Sequence, residues 1–254
     1  MRWWKFDRLP VLIVADAPLA SARKRRHRTP RKLHGYFVAF SVIFAAIVLT
    51  GFSRTFFLPM ARGTLAKPLI VHVHGAFFFA WTGLLVAQAV LAATKRLKLH
   101  RKVGSVAGWL VLPMLVLGTI VASRDTVHDF YAGDGNRALS FYYGELADLA
   151  MFGLLAGSAM LLRHKPDYHK RLVILGSLGL MGAAIGRIPE ISAFGLYIFL
   201  GMIASVGAYD VASRRTIHRA TLAGAAVLLL LGLSEERIGN TAAWLSTAHQ
   251  LLRV

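Results

Sequence analysis

Long apolar runs, broken at intervals by short cationic segments, set the pattern of this chain. A bilayer core about 30 Å thick is crossed by roughly 20 apolar helical residues. The runs 33–53, 68–94 and 103–123 reach that length without a charged residue. The run 138–162 is long enough but carries Glu145 and Asp148, and 191–209 makes a fifth. Two weaker runs follow the same pattern: 172–186, which stops at Arg187, and 220–234. The pattern predicts an all-α integral membrane protein with seven transmembrane helices. A six-helix reading drops the last run.

Charge gives these helices a direction. The segments 1–32, 95–102, 163–171 and 210–219 contain most of the Lys and Arg and only Asp7, Asp16, Asp167 and Asp210 as acids. Their own net charge equals the +18 of the whole chain, and the remainder is neutral. Placing them inside satisfies the positive-inside rule at every loop. The N-terminus is then cytoplasmic and, with seven helices, the C-terminus lies outside. The chain divides into a basic N-terminal segment 1–32, a helical bundle 33–234 and an amphipathic extracytoplasmic tail 235–254. The run 11–15 is too short for the core of a signal peptide, and Asp16 interrupts it. Trp3, Trp4 and Phe6 among cations suit an interfacial anchor, and the collar before the first helix suits anionic lipid headgroups. The connections 54–67 and 124–137 read as outside loops, the second rich in Asp and Gly.

Composition agrees with a bilayer. Hydrophobic residues make up 56% of the 254 residues and charged ones 17%, with a mean hydropathy of +0.55. This apolar excess places a membrane reading ahead of nucleic-acid binding, despite the positive charge. Cysteine is absent, which excludes disulfides, thiolate metal sites and thiol catalysis. No nucleophile–base pair, phosphate loop or nucleotide motif is legible, so no catalytic residue is assigned. The glycines Gly104, Gly108, Gly153, Gly157, Gly176, Gly179, Gly182 and Gly186 have the spacing of close helix contacts.

Candidate chemistry lies in the polar residues of the spans, where ionisable groups are costly. Helices rising from the basic side begin alike, with a His beside cations: His34, His100, His169 and His218. Such positions suit interfacial lipid contact or the axial ligation of a haem. On the second helix, His74 shares a stripe with Trp81 and Gln88, at i+7 and i+14, and is expected to face inward; His72 faces elsewhere. Glu145 and Asp148 are i,i+3 neighbours, while Arg187 and Glu190 close the fifth helix at a similar depth. Three arrangements suit this set. It can be a structural network in which Arg187 neutralises an acid. It can be a divalent metal site of His74, Glu145 and Asp148. It can be a proton or solute relay. Asp210 and His218 extend the polar set at the inner end.

Three segments carry a resemblance. They are His74-Gly75 with Trp81, Gln88 and His100-Arg101-x-x-Gly104; His169-Lys170-Arg171-Leu172 leading to Arg187; and Asp210 with His218. Together they resemble a bacterial family of multi-pass membrane proteins of unknown function, over roughly residues 70–220. The resemblance implies a bacterial inner membrane and no activity. A looser likeness to di-haem cytochrome b-type membrane proteins implies haem b, held by His74 or by His100 with His169. Such a haem takes two histidines from different helices, and His74 has no histidine partner at its own depth.

Overall fold

The computed structural model describes residues 35–254, so the basic N-terminal segment, its aromatic anchor and His34 lie outside the described residues. The described residues are mostly helical, without strands. Five helical stretches are long and apolar enough to cross a membrane: Tyr36–Ala61, Leu69–Ala93, Leu97–Asp134, Asn136–Leu161 and Gly195–Arg214.

The first stretch joins α1 (Tyr36–Phe52) to α2 (Leu58–Ala61) through one π-helical turn, Ser53–Phe57. The helix therefore continues past Arg54, where a loop was expected. Pro59 lacks an N–H, and its ring crowds the carbonyl four residues back, so the wider turn sits where an α-helical bond is lost. After α3 (Leu69–Ala93) comes the third stretch, α4 (Leu97–Gly108) and α5 (Val111–Asp129), longer at both ends than the run 103–123. Pro113 explains the break between them, because its ring crowds the Trp109 carbonyl. The junction tightens to i→i−3 bonds, Trp109 N–H to Val106 and Leu110 N–H to Ala107, each 3.0 Å. A second π turn, Phe130–Asp134, carries α5 into the expected outer loop and ends at Gly135, with φ +51°.

The central helix is α6 (Asn136–Leu161), packed against α5 and against α7 (Pro166–Leu178) and α11 (Arg219–Gly239). Phe152, Leu155 and Ala159 of α6 are buried with Leu175 and Leu178 of α7. The run 172–186 does not form one straight span. It is α7 and α8 (Gly182–Ile185) with a break between them, and α7 is enclosed by its neighbours. Past α9 (Pro189–Ser192), α10 (Gly195–Arg214) returns to the basic end. With 21 residues α11 is about 31 Å long, but Glu235, Glu236 and Arg237 keep it out of the apolar set. The tail helix α12 (Ala242–Leu252) lies on α6: Ala248 is buried and the Trp244 Nε1–H donates to the Leu139 carbonyl, 2.8 Å.

Glycine sets the α6–α7 distance. A Cβ added at Gly179 would stand 2.8 Å from the Met151 Cβ and 3.0 Å from the Asp148 carbonyl oxygen. At Gly176 it would stand 2.8 Å from the Ala156 nitrogen. Gly157 faces open space. Gly179→Val is therefore expected to destabilise the protein by about 1–3 kcal/mol through overpacking. Gly157→Ala is expected to be neutral, or stabilising by up to about 1 kcal/mol through helix propensity. Thermal unfolding in mild detergent checks both; equal effects would refute the close-contact account.

Candidate functional site

The two ends of the bundle carry different chemistry. At the basic end, α4 and α7 each follow a short connection from the preceding helix. In each of them a histidine is the fourth residue, His100 in α4 and His169 in α7. Each ring reaches back to the helix before it. The Nδ1 of His169 lies 2.9 Å from the Ala159 carbonyl oxygen, and the Nδ1 of His100 lies 3.2 Å from that of Gln88. The Gln88 side chain adds to this grip. Its amide satisfies its partners with Nε2 donating to the His100 Nδ1, 2.6 Å, and to the His100 carbonyl oxygen, 3.0 Å, and with Oε1 accepting from the Gly104 N–H, 3.1 Å. Backbone and side chain of one residue thus fix His100. Neither Nε2 has a hydrogen bond among the described residues.

The two rings face each other at right angles, with centroids 6.4 Å apart and an interplanar angle of 88°. At this separation one bound group would be able to take a nitrogen from each ring, so that His100 and His169 together would hold it. In His169, holding Nδ1 to a carbonyl and leaving Nε2 free is the arrangement that orients a ligating histidine, while the His100 Nδ1 is held by the Gln88 amide.

Beside the pair lies an ion network that the sequence reading did not assemble. Arg171 and Asp210 are both fully buried. The Arg171 Nε–H donates to Asp210 Oδ1 at 2.8 Å, and its Nη2 pairs with the same oxygen. The Asp210 Oδ2 accepts from the Thr221 hydroxyl at 2.5 Å and from the His218 N–H at 3.0 Å. Arg171 Nη1 also donates to the Asp167 carbonyl oxygen, 2.7 Å, and Asp167 pairs with Lys170 and Arg214. Partial burial of Asp167 raises its carboxyl pKa, but Lys170 and Arg214 outweigh this and hold it below the ordinary aspartate range. His218 serves as the N-cap of α11, its Nδ1 accepting from the Ala220 N–H at 3.0 Å. Its ring is therefore a cap, and only its backbone joins the network.

The other end gathers the remaining candidates loosely. The His74, Trp81 and Gln88 stripe turns inward as expected: the His74 Nδ1 is buried, Trp81 donates to the Ser177 hydroxyl at 3.1 Å, and Gln88 meets His100. The His74 Nδ1 has no hydrogen-bond partner among the described residues, and its ring lies against Phe78. Arg187 forms no ion pair with either acid among the described residues, although its charge acts on Glu145; it donates to the Ala183 carbonyl and covers the Phe52 ring at 4.7 Å. The helix break at Gly186 turns it back over α8 and α1. Glu190 leaves the cluster for an exposed pair with Arg54, 3.0 Å. Glu145 and Asp148 form no ion pair among the described residues. Glu235 of α11, read from the sequence as part of the tail, points into the same half: its Oε2 would lie 3.3 Å from a Cβ at Gly144. Two acids following an apolar run were the signal for it.

Among the described residues no group of three or more His, Asp or Glu is placed to hold a metal ion. The expected metal site of His74, Glu145 and Asp148 is therefore not assembled as a three-ligand group among the described residues, with His74 on α3 and the two acids one turn apart on α6. No family model, curated protein or solved structure matches this chain.

Proposed function

We propose that this chain is a multi-pass membrane redox protein that holds a b-type haem between His100 and His169. The facing of these two rings is the observation that carries the reading. A bare divalent ion takes four or more ligands from its surroundings, and among the described residues no third His, Asp or Glu joins the two imidazoles as a ligand group. A haem brings four nitrogens of its own and asks only two axial ligands of the protein. When bound, it would supply one-electron transfer. The chain's own part is to fix both rings through Gln88 and Ala159 and to place them at the basic end of the bundle. In this reading α7–α8 and α11 complete seven spans. The basic loops face the cytoplasm of a bacterial inner membrane, against anionic headgroups, and the C-terminus lies outside.

A second reading rests on Glu145, Asp148 and Glu235, three carboxylates without ion pairs among the described residues. Acids left unpaired in a bundle suit proton-coupled transport of a small solute. One spectrum separates the two. Protein purified in mild detergent is expected to give a Soret band with visible bands that sharpen on reduction. A featureless spectrum after haem is supplied during expression removes the first reading, and pH-gradient transport in vesicles then tests the second.

A further inference from the structure

An open cleft of about 580 Å³ lies between α5, α6 and α12, at the end of the bundle away from His100 and His169. One wall is a single face of α5, where Thr119, Ser123 and Arg124 form polar rungs. Tyr142 closes the cleft from α6, and Leu251 and Leu252 of α12 make the opposite, apolar wall.

The hydroxyl protons here are all spent inside the protein. Thr119 donates to the Leu115 carbonyl at 2.9 Å and Ser123 to the Thr119 carbonyl at 2.8 Å. In the 2.7 Å bond between Ser123 and Tyr142 the tyrosine is therefore the donor. These groups offer lone pairs to the cleft and no protons. Arg124 supplies the opposite: it is exposed, and it has no hydrogen bond or ion pair among the described residues. Its guanidinium brings donors alone, in a fork that matches a phosphate.

The complementary ligand is a phosphate, which only accepts, joined to a group with hydroxyls, which donate. It must also suit a lipid-facing wall. Ile120 beside Arg124, Leu112 and Val116 below it, and Leu251 across the cleft are all exposed apolar residues. Arg124 is five residues from the end of α5 at Asp129, about 8 Å along the helix, at headgroup depth. We propose that this cleft holds the headgroup of an anionic phospholipid with a hydroxylated head, Arg124 taking the phosphate and Ser123 and Tyr142 accepting from its hydroxyls. A phosphoglycerol head fits this pattern. A choline head has no proton to donate.

The test uses the full chain in mild detergent, with binding read by native mass spectrometry, whether or not the protein carries haem. Dioleoyl phosphatidylglycerol is expected to bind saturably, one per chain. Dioleoyl phosphatidylcholine is expected to bind at least about tenfold more weakly, and inorganic phosphate not to compete at comparable concentration. Arg124→Gln is expected to weaken phosphatidylglycerol binding about tenfold and Arg124→Lys less, since lysine keeps the charge without the fork. Arg137→Gln, an exposed cation at the same end, is the control and should bind as the parent does. Equal binding of the two lipids, competition by inorganic phosphate, or an Arg124→Gln variant that binds like the parent would each overturn the proposal.

Discussion

Replacing either His100 or His169 with alanine is expected to abolish the reduced-minus-oxidised haem spectrum, whereas His74→Ala leaves it intact. In the proposed site each substitution would remove one of the two nitrogens that hold the haem, and among the described residues no third histidine ring pairs with either. The fold should survive the loss. The His169 ring is held by one carbonyl of the preceding helix and the His100 ring by Gln88 alone, contacts worth about 1 kcal/mol each. A monodisperse, thermally stable variant without haem is thus the expected outcome, and it separates loss of ligation from loss of structure. Bound haem with an unchanged spectrum in both alanine variants would place the ligands elsewhere. Retention in the parent but loss in His74→Ala would point to the opposite end of the bundle.

The sequence made helices legible wherever hydropathy and covalent geometry agreed. α3, α6 and α10 lie close to the runs that predicted them, because an uninterrupted apolar run has one low-energy answer in a bilayer. The sequence was least informative where local polarity and backbone continuity diverge. Arg54 has loop composition yet lies within continuing helix through a π turn, and the Asp- and Gly-rich stretch after Ser123 stays helical past Asp129 and turns only at Gly133 and Gly135. The break at Trp109 was legible in principle from Pro113, four residues on. Pairings between distant elements were the hardest part. His100 and His169 were recognised as equivalent helix starts, but that their rings meet depends on how α4 and α7 lie side by side, which local sequence does not encode. Arg187 was expected to seek Glu145 or Asp148. The short α8 instead leaves it within reach of its own Ala183 carbonyl.

Asp210→Ala is expected to cost about 3–5 kcal/mol, more than any substitution of a surface charge, because it strands a buried arginine. Neither Arg171 nor Asp210 has exposed side-chain area, and the carboxylate also receives the Thr221 hydroxyl and the His218 N–H. One aspartate thus ties together α7, α10 and the start of α11. By contrast, Arg214→Ala breaks a partly exposed pair with Asp167 and should cost no more than about 1 kcal/mol. The double variant Arg171→Met, Asp210→Leu should recover much of the loss, since two apolar side chains of similar volume need no compensating charge. Thermal unfolding of the parent and the three variants in one detergent makes the comparison. Asp210→Ala no less stable than Arg214→Ala would show that the buried pair does not clamp these helices. The same variants also bear on the histidines. Arg171 follows His169 by two residues, so the pair that anchors the first turns of α7 also holds that ring opposite His100. Asp210→Ala should therefore weaken haem retention in protein that still folds, and the apolar double variant should restore it along with stability. Stability restored without haem would mean that the charge itself, and not the anchoring of α7, is what the histidine pair requires.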